Sequence, residues 1–294
     1  NVIAQFGAGN DKNLFEYVRA CVNEASTNQQ AVKVPDHCGW QEDNSYVHNY
    51  KVFRPHKKTV SMPMQGMENV NHGMNAYGTM EQWQKFMNML IAKEMYEVLT
   101  IFLCSASAPL MRFTGINGLT YHFTSRGSGT GKSLGLDAGA SLWGSPLGYR
   151  VSRDTSPVAF QQRLGLLHSS PLITDEITQK NRNAEMEWLP SFLFDMAEGK
   201  GKERMEAGSN RERINTTYWR TVALLTSNNP AVDYLTGTRA HSSEGELRRL
   251  LELTMETQLS WTPDEVTIIK SLADNCGHAA PVLIQYMVDN FDKV

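Results

Sequence analysis

The sequence predicts an α/β fold built on a mostly parallel sheet, and three observations lead there. Apolar, β-prone runs at 119–123, 172–174 and 222–226 alternate with segments of helical period. The first run feeds a glycine-rich turn that ends in Gly131-Lys132-Ser133 and opens a helix-compatible segment. The other two runs end in polar tips, Asp175-Glu176 and Ser227-Asn228-Asn229-Pro230.

Composition sets the bounds. The chain has 294 residues, 41% hydrophobic and 20% charged, with a formal net charge of −3. That is globular rather than disordered, and long enough for one full domain with smaller attachments. Contact with a polyanion has to come from a local patch, because the chain is not basic as a whole. Cys21, Cys38, Cys104 and Cys276 are widely spaced, with no CxxC pair. This argues for a reducing, cytoplasmic compartment and against both zinc and a disulfide framework. The longest apolar stretch, Val98 to Met111, is broken by Ser105, Ser107 and Pro109 and is too short to span a membrane. The chain begins at Asn1 without a signal peptide and so reads as a piece of a larger protein.

In chain order, residues 11–27 put Leu14, Val18, Cys21 or Val22, and Ala25 on one face, which predicts an ordinary docked helix. Val32 to Pro35, Gly39-Trp40 and the run Tyr46 to Phe53 predict a small sheet with Trp40 as its core anchor. Residues 61–78 lack any period and read as a linker or long loop. From Thr79 to Ser107 there is neither Gly nor Pro, and Met80, Trp83, Met87, Leu90, Met95, Val98 and Phe102 follow helical spacing, for one long helix or two. Lys132 to Trp143 is a helix stopped by Gly144-Ser145-Pro146, with Gly135 and Gly139 allowing close packing on the sheet. Asp154 to Pro157 starts a helix that runs to about Leu167. Glu185 to Glu198 is an amphipathic helix, Glu198 to Asn215 a polar hairpin, and Trp219 to Thr226 a buried strand. Glu244 to Leu253 is a short helix or a helix–strand join. Thr262 to Glu265 starts a helix ending near Gly277, and a last helix covers His278 to Asn290. The domain division expected is a small N-terminal α+β region and linker (1–78), a core (79–255) and a C-terminal helical segment (256–294).

The turn after Phe123 has the context of a phosphate-binding P-loop, in which glycines let successive N–H groups converge on one anion at a helix N-terminus. Gly127, Ser128, Gly129, Thr130 and Gly131 would form the cradle. Lys132 would reach the β- and γ-phosphates of ATP, and Ser133 would hold Mg²⁺. The consensus asks for glycine seven residues before the serine; Arg126 stands there, and Gly127, Gly129 and Gly131 are read as supplying the freedom. The plain alternative is a Gly/Ser surface loop. Asp175 would bind the metal's water shell beside Ser133, and Glu176 would orient the attacking water. Asn228, or failing it Asn229, would sense the γ-phosphate; the plain reading there is an Asn-Asn-Pro turn. Arg248 and Arg249 suit charge stabilisation on a transferring phosphoryl group, Arg249 first, and are otherwise a solvated pair. Gly199 to Arg204, continuing to Arg211 and Arg213, presents lysines on glycines that would contact a phosphate backbone, although Glu198, Glu203, Glu206 and Glu212 nearly cancel the charge.

Taken in this order, the motifs resemble the superfamily 3 helicases of viruses and phages. More closely, the chain resembles the phage and plasmid replication-associated ATPases grouped as DUF927. The match rests on Gly39-Trp40, SASAPLMRF (105–113), SLWGSP (141–146), EGKGKERM (198–205), TYWRTVALLTSN (217–228), RRLLEL (248–253) and Cys276 to Ala280. The ending Thr226-Ser227-Asn228 departs from DUF927 relatives toward the superfamily 3 pattern. The resemblance implies a P-loop NTPase fold of the ASCE/AAA+ kind and a ring, commonly a hexamer, with nucleotide between subunits and single-stranded DNA in the channel. Lys200, Lys202 and Arg204 would track the strand. It also implies ATP and Mg²⁺ as cofactors, a primase or polymerase module as partner, no membrane, and the cytoplasm of a bacterial host. The expected function is an ATP-dependent DNA helicase or translocase in phage or mobile-element replication. The rivals are an ATP-binding scaffold or loader, a P-loop kinase (against which Glu176 argues), and a packaging ATPase.

Overall fold

The computed structural model describes residues 11–28, 34–62, 66–152, 154–176, 182–202, 204–205, 212–213, 217–236 and 244–293. Contacts divide the chain into two units, Asn1–Val34 and Pro35–Val294. The first holds helix α1 (Asp11–Asn28). Val18 and Val22, expected on a buried face, are exposed in it, as are Phe15 and Tyr17.

The second unit opens with an antiparallel sheet in the order β1 (Gly39–Trp40), β2 (Tyr46–His48), β3 (Lys51–Phe53), β4 (Val60–Ser61). The run Tyr46 to Phe53 supplies two of these strands. Asn49 and Tyr50, at φ 46° and 58°, turn the chain so that Val47 pairs with Val52. Trp40 is the expected anchor: it is 1% exposed, and its indole N–H donates to the Pro109 carbonyl at 2.9 Å. The expected loop at 61–78 contains helix α2 (Glu68–Gly73). Met67, Val70 and Met74, at helical spacing, are buried there, so packing supplies the order that local propensity lacks.

Two helices follow, α3 (Met80–Ala92) and α4 (Tyr96–Ala106), separated at Glu94, whose φ is 54°. Next come β5 (Gly118–Thr124), α5 (Lys132–Trp143), α6 (Pro146–Tyr149), α7 (Pro157–Leu167), β6 (Leu172–Thr174) and α8 (Arg182–Glu198). Helix α8 carries Pro190 in its interior. A two-stranded ribbon, β7 (Arg204–Met205) with β8 (Glu212–Arg213), precedes β9 (Thr221–Ser227), α9 (Ala231–Thr236), α10 (Glu244–Leu247) and β10 (Leu250–Thr254). Helices α11 (Pro263–Ser271) and α12 (Ala279–Asp289) close the chain, α11 behind a capping box between Thr262 and Glu265.

The main sheet has the order β10-β5-β9-β6, and every pair in it is parallel. Register sets Thr124 beside both Ser227 and Thr254, and Thr174 beside Leu225, so all four carboxyl ends share one edge. Val151 adds a parallel bridge to Thr174 beyond β6. All seven residues of β9 are buried, as a central parallel strand requires. Gly135 and Gly139 do allow close packing, but against α4 rather than the sheet. A β-carbon on Gly135 would lie 2.3 Å from Ile101 Cδ1, and one on Gly139 would lie 2.9 Å from Ser105 Cβ.

Candidate functional site

The site begins where β5 stops. Thr124 ends the strand, Lys132 starts α5, and Gly129 and Gly131 turn the chain between them at φ 81° and 90°. Side chains are strained in that left-handed region, so the loop depends on glycine at both positions. Gly127 does not have a positive φ. Two glycines, not the expected three, supply the left-handed freedom. Arg126 and Ser128 are exposed on the loop, and Thr130 is buried. The amides opening α5 lack partners within the helix and form its positive end. The Lys132 ammonium folds back over the loop toward the Ser125 carbonyl, 3.4 Å away. Burial draws the Lys132 pKa down, against the opposing pull of Glu176 and Asp175.

The adjoining strand ends bring the polar groups together. Ser133 Oγ donates to Asp175 Oδ2 at 2.9 Å, and Thr226 Oγ1 donates to Asp175 Oδ1 at 2.5 Å. Arg150 bridges two carboxylates, donating at 2.5 Å to Asp175 Oδ2 and at 2.5 Å to Asp137 Oδ1. Burial pushes Asp175 up, but the Thr226 hydrogen bond, the Arg150 charge and the Ser133 hydrogen bond outweigh it and hold the carboxyl below its ordinary value. Glu176 sits at φ 49°, its N–H donating to Thr226 Oγ1 at 3.0 Å. Asn228 Nδ2 donates to Glu176 Oε2 at 3.1 Å, while Asn229 turns away to the Tyr234 hydroxyl. Lys132, Ser133, Asp175, Glu176 and Asn228 thus converge, and Asn229 does not.

A second layer holds these tips. His122, fully buried on β5, lies 2.7 Å from Glu252 of β10 and 2.9 Å from Ser227 of β9. Ser227 Oγ donates to the Asn229 carbonyl, and Glu252 accepts from the Ala231 N–H at 2.5 Å. The segment after β10 crosses the glycine turn. Leu259 N–H donates to the Gly129 carbonyl at 3.1 Å, and the Glu97 carboxylate accepts from the N–H groups of Glu256 and Thr257 at 3.1 and 3.3 Å. A β-carbon on Gly131 would lie 2.5 Å from Leu259 Cδ1. Motif reading found none of Arg150, Thr226, His122, Glu252 or Leu259. Thr226, Glu252 and His122 stood inside recognised stretches, but nothing in those stretches marks them as polar groups of the site; they, Arg150 and Leu259 meet it only through register and folding.

The remaining candidates lie elsewhere. Arg248 and Arg249 precede β10, whose first residue pairs with Thr120, so they sit toward the amino ends of the strands. Arg249 stacks 4.3 Å from the Phe194 ring centroid and donates to the Gly245 carbonyl, whereas Arg248 is exposed and pairs with Glu244. Lys200 forms an antiparallel bridge with Tyr218, and Lys202 is 3.8 Å from Asp195. Arg204 is on β7, paired with Arg213. The side chains of Arg204, Glu212 and Arg213, and all of Glu203, Glu206 and Arg211, lie outside the described residues.

Among the described residues no helix is long and apolar enough to cross a membrane, and no group of three or more His, Cys, Asp or Glu is placed to hold a metal ion. Mg²⁺ asks for less, one or two protein oxygens with water completing the shell, and the touching Ser133 hydroxyl and Asp175 carboxylate fit that donor set.

An all-parallel sheet with a glycine turn at one strand end and carboxylates at the next defines the class: an α/β protein with an anion-suited edge. Within that class the chain belongs to the DUF927 family, a "Domain of unknown function", which matches residues 3–214. The match stops before β9, so 217–228, 248–253 and 276–280, on which part of the resemblance rests, lie beyond it. The fold is similar to that of a solved structure, "SCCmec type IV Cch - active helicase", with a TM-score of 0.66 and 20% identity. The similarity covers 95% of this chain and 51% of that one, so this chain spans about half its length. No curated protein matches significantly.

Proposed function

We propose that the chain is the P-loop ATPase core of a nucleic-acid motor, a helicase or translocase that draws single-stranded DNA through a ring during phage or mobile-element replication. One observation carries the reading: side chains from three strand ends, Lys132 and Ser133, Asp175 and Glu176, and Asn228, meet at one sheet edge. The backbone amides at Gly129 to Lys132 bind the phosphates of ATP, and Lys132 places its charge on the outer two. Mg²⁺, when bound, supplies neutralising charge on the phosphate oxygens. Ser133 and Asp175 position it. Glu176 accepts a proton from water, and Asn228 holds that carboxylate and reports the state of the outer phosphate. Arg248 or Arg249 completes a neighbouring subunit's site, and the Gly199–Arg213 hairpin with Lys200, Lys202 and Arg204 moves along the strand. Residues 79–255 form the motor core, flanked by a small N-terminal region and C-terminal helices.

The test is ATP turnover with and without single-stranded DNA for wild type, Lys132→Ala and Glu176→Gln. Turnover stimulated by DNA and abolished in both variants is expected. Normal hydrolysis by Lys132→Ala removes the nucleotide site. Turnover indifferent to DNA leaves an ATP-dependent scaffold instead.

A further inference from the structure

At the other end of the main sheet, the amino ends of β5 and β9 border a cavity of about 430 Å³. The buried Trp40 of the antiparallel sheet is part of its lining. Its wall is cationic. Arg112, Arg220 and Lys200 line it, from the turn before β5, the residue before β9 and the residue two after α8.

Among the described residues no carboxylate compensates the two arginines. Arg112 donates to Asn44 Oδ1 at 2.7 Å and lies against the rings of Trp40 and Phe291, 5.7 and 5.3 Å from their centroids. Among the described residues the Arg220 guanidinium makes only long contacts, 3.4 Å to the Arg112 carbonyl and 3.4 Å to Asn117 Oδ1. Among the described residues neither guanidinium has a carboxylate within ion-pair distance, and Glu198, exposed at the rim, pairs with neither. Arg112 feels its neighbour: burial and then Arg220 lower its pKa. His168, stacked on His37, is drawn down to about 3 by burial first and then by His37 and both arginines, so it adds no charge at neutral pH. Partly buried like charges without a counter-ion cost free energy that an entering anion relieves. Tyr218, 51% exposed at the mouth, adds an aromatic face beside the cations.

We propose that this cavity seats a phosphodiester of a single nucleic-acid strand, with the phosphate between Arg112 and Arg220 and a flanking base on Tyr218. Cations that grip backbone next to an aromatic that stacks a base are the two elements of sequence-tolerant single-strand binding. The inference rests on the reading of the chain as a nucleic-acid motor. It adds a strand contact beside the hairpin's own and assigns it to Arg112 and Arg220, which no nucleotide motif includes.

The probe is fluorescein-labelled oligothymidylate of twenty nucleotides, titrated with the 294-residue chain by anisotropy, without nucleotide, over a range of salt. Arg220→Gln should weaken binding by roughly tenfold. It should also flatten the slope of log affinity against log salt by about 0.7, one single-strand phosphate contact. Arg220→Lys should recover most of both. Tyr218→Ala should weaken binding but leave the salt slope unchanged, because stacking releases no counter-ion. Thermal melts confirm that each variant folds. The inference is overturned if folded Arg220→Gln keeps the wild-type affinity and slope, or if wild type binds no oligothymidylate. It is also overturned if only inorganic phosphate or a mononucleotide protects the cavity. The anisotropy assay contains no nucleotide and the turnover assay of Lys132→Ala scores no strand binding, so loss of the nucleotide reading and loss of the cavity reading give separate results.

Discussion

Asp175 takes hydrogen bonds from Ser133, Thr226 and Arg150 at once. A carboxylate so held stays ionised below the ordinary aspartate value of about 3.9. The sign follows from linkage: stability from Asp175 is present above the unfolded-state pKa and disappears as pH falls through the lower native one. Asp175→Asn should therefore flatten the acid side of the stability profile below about pH 3.9, read by urea denaturation at stepped pH. A wild-type profile in the variant would mean that other carboxylates set acid unfolding. Glu176 is predicted to separate binding from chemistry. Glu176→Gln keeps the Asn228 contact and removes the base, so nucleotide affinity should hold while turnover falls by about 10²–10⁴-fold. Equal losses in both would show that the side chain shapes the site rather than acting in the reaction.

Elements were legible where local chemistry and tertiary packing agree. The β5–loop–α5 unit is marked by glycine chemistry as well as period, and α11 by its Thr-Pro-Asp-Glu start. Thr262→Ala should cost about 1 kcal/mol in chemical denaturation, the usual worth of an N-cap. Helix α2 was hidden because its order comes from burial of Met67, Val70 and Met74, not from propensity. The turn at Asn49-Tyr50 was hidden because Tyr50 is a poor guess for a left-handed position. The α4–α5 contact was misassigned because glycine spacing shows that a helix is approached closely, not by what. Gly135→Val should drive its branches into Ile101 and destabilise the fold by about 1–3 kcal/mol. An unshifted melting temperature would show that α4 yields freely.

On the scale of the whole second unit, the parallel sheet separates two chemistries. Its carboxyl edge collects the glycine turn, carboxylates and Asn228; its amino edge collects Arg112, Arg220 and the bridge at Lys200. The sequence revealed the first edge because each strand tip carries a short motif. The second was not legible as a site, since its arginines are 108 residues apart and only the β5–β9 pairing makes them neighbours. The proposed ring belongs to this scale. Arg249 is committed to Phe194 and Gly245, whereas Arg248 stands outward, so Arg248→Ala should lower ATP turnover more than Arg249→Ala in a nucleotide-loaded assembly followed by sedimentation. The reverse order would make the inward arginine the one that reorients.

The crossing of residues 255–259 over the glycine turn has a practical consequence for anyone shortening this protein. A piece trimmed just past Thr254 would retain the glycine turn, Asp175-Glu176 and the Asn228 tip and still lose the roof that Leu259 and the Glu97 tether build over Gly129 and Gly131, along with the buried Leu272, Ile284, Met287 and Val288. A negative result from such a piece would therefore say nothing about the glycine turn or the strand tips.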